Sequence, residues 1–283
     1  MLHLRPSLAA LLIAASALGC GDNLTLPPER EPAQTPPVPP LGCLPDLDGR
    51  IDADEIVTAL GTQVSYVVSP AGTERTVDLA GEPGEVEGEL LWDFSVDYAD
   101  DQSLAITPVS LAGRWYASSF ADGAFVTPYD ASGRLESVLL RRDDALVLLG
   151  LASSEADPPE GRTLLVYDPP ITILRIPVTV GQSFVSTGEI ANGVIQGLPY
   201  AGRDTYEVSV DGVGRIDLPQ LAFEQVHRVR TKVTVEPAVG TAVTRRQVSF
   251  FAECFAEVAR ATSRDGESAD DFATTAELRR LGY

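Results

Sequence analysis

TYEVSVDG (Thr205–Gly212) and, further along, HRVRTKVTV (His227–Val235) decide how this chain folds. In the first run Tyr206, Val208 and Val210 alternate with polar neighbours. In the second, His227, Val229, Thr231, Val233 and Val235 fall on one side, and Arg228, Arg230 and Lys232 on the other. A period of two places successive side chains on opposite faces of an extended chain, so both runs read as strands with one buried and one wet face. A third run, QVSFFAECFAEVAR (Gln247–Arg260), reads as one strand with Val248, Phe250, Ala252, Cys254, Ala256 and Val258 on a common side.

Turn signals lie between such runs: PAGTE, GEPGE, YDASG, SEADPPEGR, VDGVG and EPAVGT. They recur about every 8 to 15 residues with few helical patterns between them, which argues for an antiparallel meander instead of βαβ units. The expected fold class is all-β: a curved sheet, half-barrel or sandwich, with short helices over residues 53–60 and 270–281. Residues 43–283 are expected to form a single β-rich domain.

The N-terminus is of another kind. MLHLRPSLAALLIAASALGC begins with a positive charge at Arg5 and continues with an apolar run from Leu8 to Leu18. Eleven residues of helix rise only about 16 Å, too short for a hydrocarbon core of roughly 30 Å, so residues 1–19 read as an export signal. ALGC resembles the lipobox of bacterial lipoproteins, with Ala17 where leucine is usual. The resemblance implies cleavage before Cys20 and a lipid thioether, with palmitate-type acylation, on that sulfur. The alternative is an ordinary signal with an incidental cysteine. Residues 20–42 contain LPPEREPAQTPPVPPLG; seven of the fourteen positions Pro27–Pro40 are proline, so this stretch reads as a polyproline tether reaching roughly 40 Å.

Three cysteines would leave one thiol over in an oxidising compartment. If lipid takes Cys20, then Cys43 and Cys254 remain as a pair, closing 254 − 43 = 211 residues; the alternative is two unpaired thiols. A net charge of −20, or −21 without Arg5, argues against nucleic acid and against charge-driven docking on anionic lipid.

A second resemblance covers about one hundred residues, from PVTVGQSF (Pro177–Phe184) through GRDTYEVSVDGVGRIDLPQLAFEQVHRVRT (Gly202–Thr231) to FFAECFAEVAR (Phe250–Arg260). The DGxG turn, the Leu-Pro strand end and the F-x-x-V-x-R-V-R strand resemble uncharacterised, mostly-β, exported lipoproteins of Gram-negative bacteria. That pattern implies a fold and an envelope location; it carries no catalytic residues.

GCLPDLDGRIDADEI (Gly42–Ile56) raises the question of metal. With Gly49 at position 6 of an EF-hand loop, Asp46, Asp48, Asp52 and Glu55 fall at positions 3, 5, 9 and 12, the Arg50 carbonyl at 7 and Ile51 at 8. Position 1 is Leu44, and the proline tether leaves no entering helix. The competing account is a turn at Gly49, then a helix capped by Asp52 and Glu55 and stopped by Gly61. A weak calcium site and a plain capped turn both fit; no other cofactor is expected.

Catalytic signals are sparse. His227 is the one histidine after the signal, and it sits on an apolar strand face, where a hydrogen-bonded core role is expected. No GxSxG elbow and no phosphate-binding glycine loop is present in the sequence. The 41 acidic residues leave a carboxylate-pair hydrolase open as an alternative, although RRDD (Arg141–Asp144) and DGESADD (Asp265–Asp271) read as solvated turns. Trp92 and Trp115 read as core or barrel-mouth residues. The leading expectation is a non-catalytic, lipid-anchored envelope module, outer-membrane by Gly21 after the lipidated cysteine, that binds an apolar ligand or an envelope protein. The other alternative is a structural envelope protein with a calcium-stabilised N-terminal loop.

Overall fold

Every even-numbered residue from Asp204 to Ile216 is buried, so the alternation seen in the sequence is the alternation of the folded strand. The structure, a computed structural model, describes residues 42–56, 60–86 and 88–282. The expected signal, the tether up to residue 41 and the lipidation position Cys20 lie outside the described residues. Gly42–Tyr283 form one unit.

The chain opens with β1 (Val64–Val68), β2 (Arg75–Thr76), β3 (Glu82–Pro83), β4 (Leu90–Asp93), β5 (Gln102–Ile106) and β6 (Val109–Ser110). After a short 3-10 turn at Ala117–Ser119 come β7 (Phe125–Pro128), β8 (Leu135–Arg141), β9 (Ala145–Ser153), β10 (Leu164–Arg175) and β11 (Ser183–Ile195). The last third holds β12 (Leu198–Asp217), β13 (Ala222–Pro237), β14 (Val243–Ala252), β15 (Ala256–Thr262), β16 (Thr274–Thr275) and β17 (Glu277–Leu281). From β6 to β15 each strand pairs with the next in sequence, antiparallel throughout, so the expected meander is present. The chain ends complete it: β17 pairs with β15, β1 with β17, and β5 with β1.

The two edges of this sheet, β5 and β6, are separated in sequence by Thr107 and Pro108 alone, yet no ladder joins them. The sheet therefore curls back on itself without closing into a barrel. Its concave face carries Phe125, Leu139, Leu148, Leu174, Tyr206 and Val229. The other side is covered as well. β4 runs parallel to the end of β12, from Gly214 to Asp217, and brings Trp92 and Phe94 against Phe250, Phe272 and Ile216. Trp92 is fully buried, its ring 4.9 Å from that of Phe250, and Trp115 packs beside Tyr116 in a smaller cluster.

That second layer corrects, at Arg228, the reading of the Arg228, Arg230 and Lys232 face as wet. Arg228 is buried; it donates to the Leu79 and Ala80 carbonyls and pairs with Asp211 at 2.7 Å. Alternation reports which residues share a face; here the second face is covered at Arg228 and still open at Lys232, whose side chain is 34% exposed.

Two further expectations are overturned. No α-helix occurs among the described residues. Residues 270–281 hold β16 and β17, because the open edges of β15 and β1 offer a ladder that an end-of-chain helix would forgo. Of the helix expected over 53–60, residues 57–59 lie outside the described residues, and residues 53–56 make a turn in which the Asp52 carbonyl accepts from Glu55 and Ile56 at 3.1 and 3.2 Å. Gln247–Arg260 is likewise two strands, not one. It reverses at Glu253–Phe255, where Cys254 and Ala256 adopt φ of 65° and 56°, a region that disfavours residues with a Cβ. The sequence offers no Gly, Pro or Asn there, so the turn left no sequence signal.

Gly214 is where β4 approaches β12 too closely for a side chain. A Cβ there would lie 1.9 Å from the Leu90 carbonyl oxygen. Gly214→Ala is expected to destabilise the protein by about 1–3 kcal/mol and to release β4. Urea denaturation reads the first effect, and hydrogen exchange at Leu91 and Trp92 the second; unchanged exchange would contradict the account.

Candidate functional site

The concavity of the sheet encloses a cavity of about 890 Å³. Its apolar wall comes from many strands, among them Ile106, Phe125, Leu146, Ile173, Val233 and Phe251. These positions belong to alternating runs, so the pattern that makes the strands also paints one side of the sheet apolar. The volume is within the range of roughly 300–1,000 Å³ common for small-molecule sites.

One end of the cavity is charged. Arg260 on β15 and Arg279 on β17 are directly opposite each other across the ladder. Like charges in that register repel, and each guanidinium is held by its own carboxylate: Arg260 by Glu257 at 2.7 Å, Arg279 by Glu277 at 3.0 Å. Burial, with Arg260 alongside, pulls Arg279 below the ordinary arginine range. Tyr66 donates to the Glu257 carbonyl at 2.9 Å, and burial beside Glu257 pushes its hydroxyl up to about 12. This end therefore offers fixed donors beside an apolar chamber. Asp265, also lining the cavity, is paired with Arg245 at 2.8 Å.

The N-terminal loop forms a separate cluster. Cys43 and Cys254 are joined, their Cα atoms 5.5 Å apart, which ties the loop to the β14–β15 turn. The Leu47 amide donates to Glu253 at 2.9 Å, and the His227 Nε2 is 3.1 Å from the Gly49 carbonyl. His227 is fully buried, and burial pulls it below the ordinary histidine range, so it serves as a neutral clasp on the loop. Ile51 bridges to Val178 and enters the core.

Of the four sequence-derived calcium ligands, the structure brings two together. Carboxylate oxygens of Asp46 and Asp48 lie within 4.8 Å of each other and of Glu253. Asp52 is instead turned to Arg50 at 2.8 Å. Glu55 reaches back to the Asp52 amide at 2.9 Å, the capping half of the competing account. Burial pushes the Glu55 carboxyl up against the lowering by that amide, with the charges of Glu253 and Asp46 adding to the rise. Asp52 and Glu55 therefore stand outside the cluster of Asp46, Asp48 and Glu253, whereas the EF-hand alignment sets them at positions 9 and 12. Glu253 was missed because it lies 205 residues from Asp48, yet pairing Cys43 with its neighbour Cys254 was enough to bring it to this loop.

Fold and cavity together define a class: an open, curled antiparallel sheet around an apolar chamber with a charged end. The chain matches no family model, no curated protein and no solved structure. Among the described residues no helix is long and apolar enough to cross a membrane.

Proposed function

We propose that this chain is a non-catalytic, lipid-anchored envelope module that holds an apolar ligand in the concavity of its sheet. The observation that carries the reading is the 890 Å³ chamber with its apolar wall and its Arg260–Arg279 end, which suits a molecule with an apolar body and a polar terminus. Anchoring is supported by the lipobox-like ALGC ending at Cys20 and by the prolines that follow it, and outer-membrane placement by Gly21. The hydrolase alternative is disfavoured by the pairing of Glu257, Glu277 and Asp265 with arginines inside the chamber.

Native mass spectrometry of protein released from membranes tests both halves. The expected spectrum shows an acylated Cys20 at the N-terminus and a dissociable extra mass. Val233, on the chamber wall between Tyr206 and Arg245, gives the control. Val233→Trp should occupy the space and reduce ligand retention by roughly tenfold or more while leaving the acylation intact. A wild-type protein that never carries extra mass overturns the ligand reading; an unmodified N-terminus overturns the anchor.

A further inference from the structure

Glu253 presents an electrostatic problem that the polypeptide does not solve. Its side chain is 3% exposed; Oε2 accepts the Leu47 amide, and Oε1 is buried with no partner. A buried carboxylate with an unpartnered oxygen is costly unless a countercharge faces it. The groups facing it are Asp46, Asp48 and the Glu55 carboxyl, which is within hydrogen-bonding reach of Glu253; all are acidic, and none supplies a positive charge. The loop's arginine does not supply the charge: Arg50 is directed to the exposed side, 3.2 Å from Asp48 and 2.8 Å from Asp52.

We propose that Asp46, Asp48 and Glu253 form a calcium site that clamps the N-terminal loop to the β14–β15 turn. Three converging carboxylates with no sulfur or imidazole donor among them select a hard cation over zinc or copper. Irregular placement on a loop and a turn suits calcium, which accepts 6–8 oxygens in flexible geometry, better than the strict octahedron of magnesium. With water completing the shell, the affinity belongs in the weak range, a Kd on the order of 10⁻⁴ to 10⁻³ M.

The site also spans the same two segments as the Cys43–Cys254 bond, because Glu253 precedes Cys254 and Asp46 follows Cys43 by three residues. Either link brings the loop to the turn, so each lowers the entropy cost of making the other. Linkage is reciprocal: oxidation should tighten calcium, and calcium should protect the disulfide from reduction. None of the three carboxylates lines the chamber.

Calorimetric titration of the intact oxidised protein with CaCl2 is the test. Asp46→Asn, Asp48→Asn and Glu253→Gln should each weaken binding by roughly tenfold or more, and Asp52→Asn, whose carboxylate lies outside the cluster, by no more than about twofold. Absence of binding heat at millimolar calcium overturns the site. Retained affinity in Glu253→Gln, or a loss in Asp52→Asn equal to that in Asp46→Asn, overturns this ligand set. Should Glu253→Gln fail to fold, the exposed Asp46→Asn and Asp48→Asn variants and the wild-type rate of disulfide reduction by dithiothreitol still decide. Calcium should slow that reduction several-fold relative to magnesium, and an equal rate in both overturns the clamp.

Discussion

A Cys43→Ala/Cys254→Ala protein is expected to lose about 2–5 kcal/mol of unfolding free energy. The bond closes 211 residues, and chain-entropy arithmetic puts a loop of that length near the upper end, at roughly 5 kcal/mol. Native contacts do not remove this effect, since it resides in the unfolded chain, which gains freedom when the crosslink is absent. What they decide is how the folded state responds. Ile51, buried and bridged to Val178, and Ile56, also in the core, should hold the chain from residue 51 onward. The loop from Gly42 to Arg50 retains the Leu47–Glu253 and Gly49–His227 hydrogen bonds and should open locally first. Urea denaturation gives the global number, and hydrogen exchange at Leu47 against Ile51 gives the local order. A loss under about 1 kcal/mol would mean that the unfolded chain is already restrained there.

The second large effect is expected at Arg280, which is fully buried. It donates to the Phe94 carbonyl at 2.8 Å and to the Val96 carbonyl, and pairs with Asp101, itself buried. Asp101 also receives Arg75 at 2.8 Å, and Tyr98 stacks against both guanidiniums, 4.2 Å from that of Arg75 and 5.5 Å from that of Arg280. Arg280→Met should cost about 3–5 kcal/mol, because it strips two carbonyls of their donor and takes one countercharge from a buried carboxylate. Asp101→Leu should cost a similar amount by leaving Arg280 charged in the interior. The double variant should cost clearly less than the sum of the two, since buried pairs replaced together by apolar groups are often tolerated. Strict additivity in a double-mutant cycle would show that the two groups do not act as a pair.

Arg280 also shows where sequence reasoning reached its limit. Leu278 and Leu281 are three apart, a helical spacing, and the intervening Arg279 and Arg280 look like a solvated helix face. In the fold all four are buried, because β17 is placed between β15 and β1. Glu277, which holds Arg279, is two residues away on β17 itself, but the carboxylate that makes the fully buried Arg280 tolerable, Asp101, lies in a loop 179 residues away. Periodicity is local, and the neutralisation of a buried charge is not.

By contrast, the long strands were legible. Tyr206, Val208 and Val210 are buried as their alternation requires, because a pleated chain has no other way to hide three apolar residues spaced by two. An odd cysteine count was enough to single out Cys43 and Cys254 once Cys20 was set aside, and Asp46 and Asp48 could be named as metal-ligand candidates from their spacing. What only the tertiary structure decided is everything that depends on strand order. It placed β1 between β17 and β5, curled the meander around a chamber, set Arg260 opposite Arg279, and brought Glu253 to the loop at Asp46. Local alternation determines that a strand forms and which side it buries. Which strand lies beside which is settled by the whole set of edges competing for partners, and it is there that both the cavity and the proposed cation site arise.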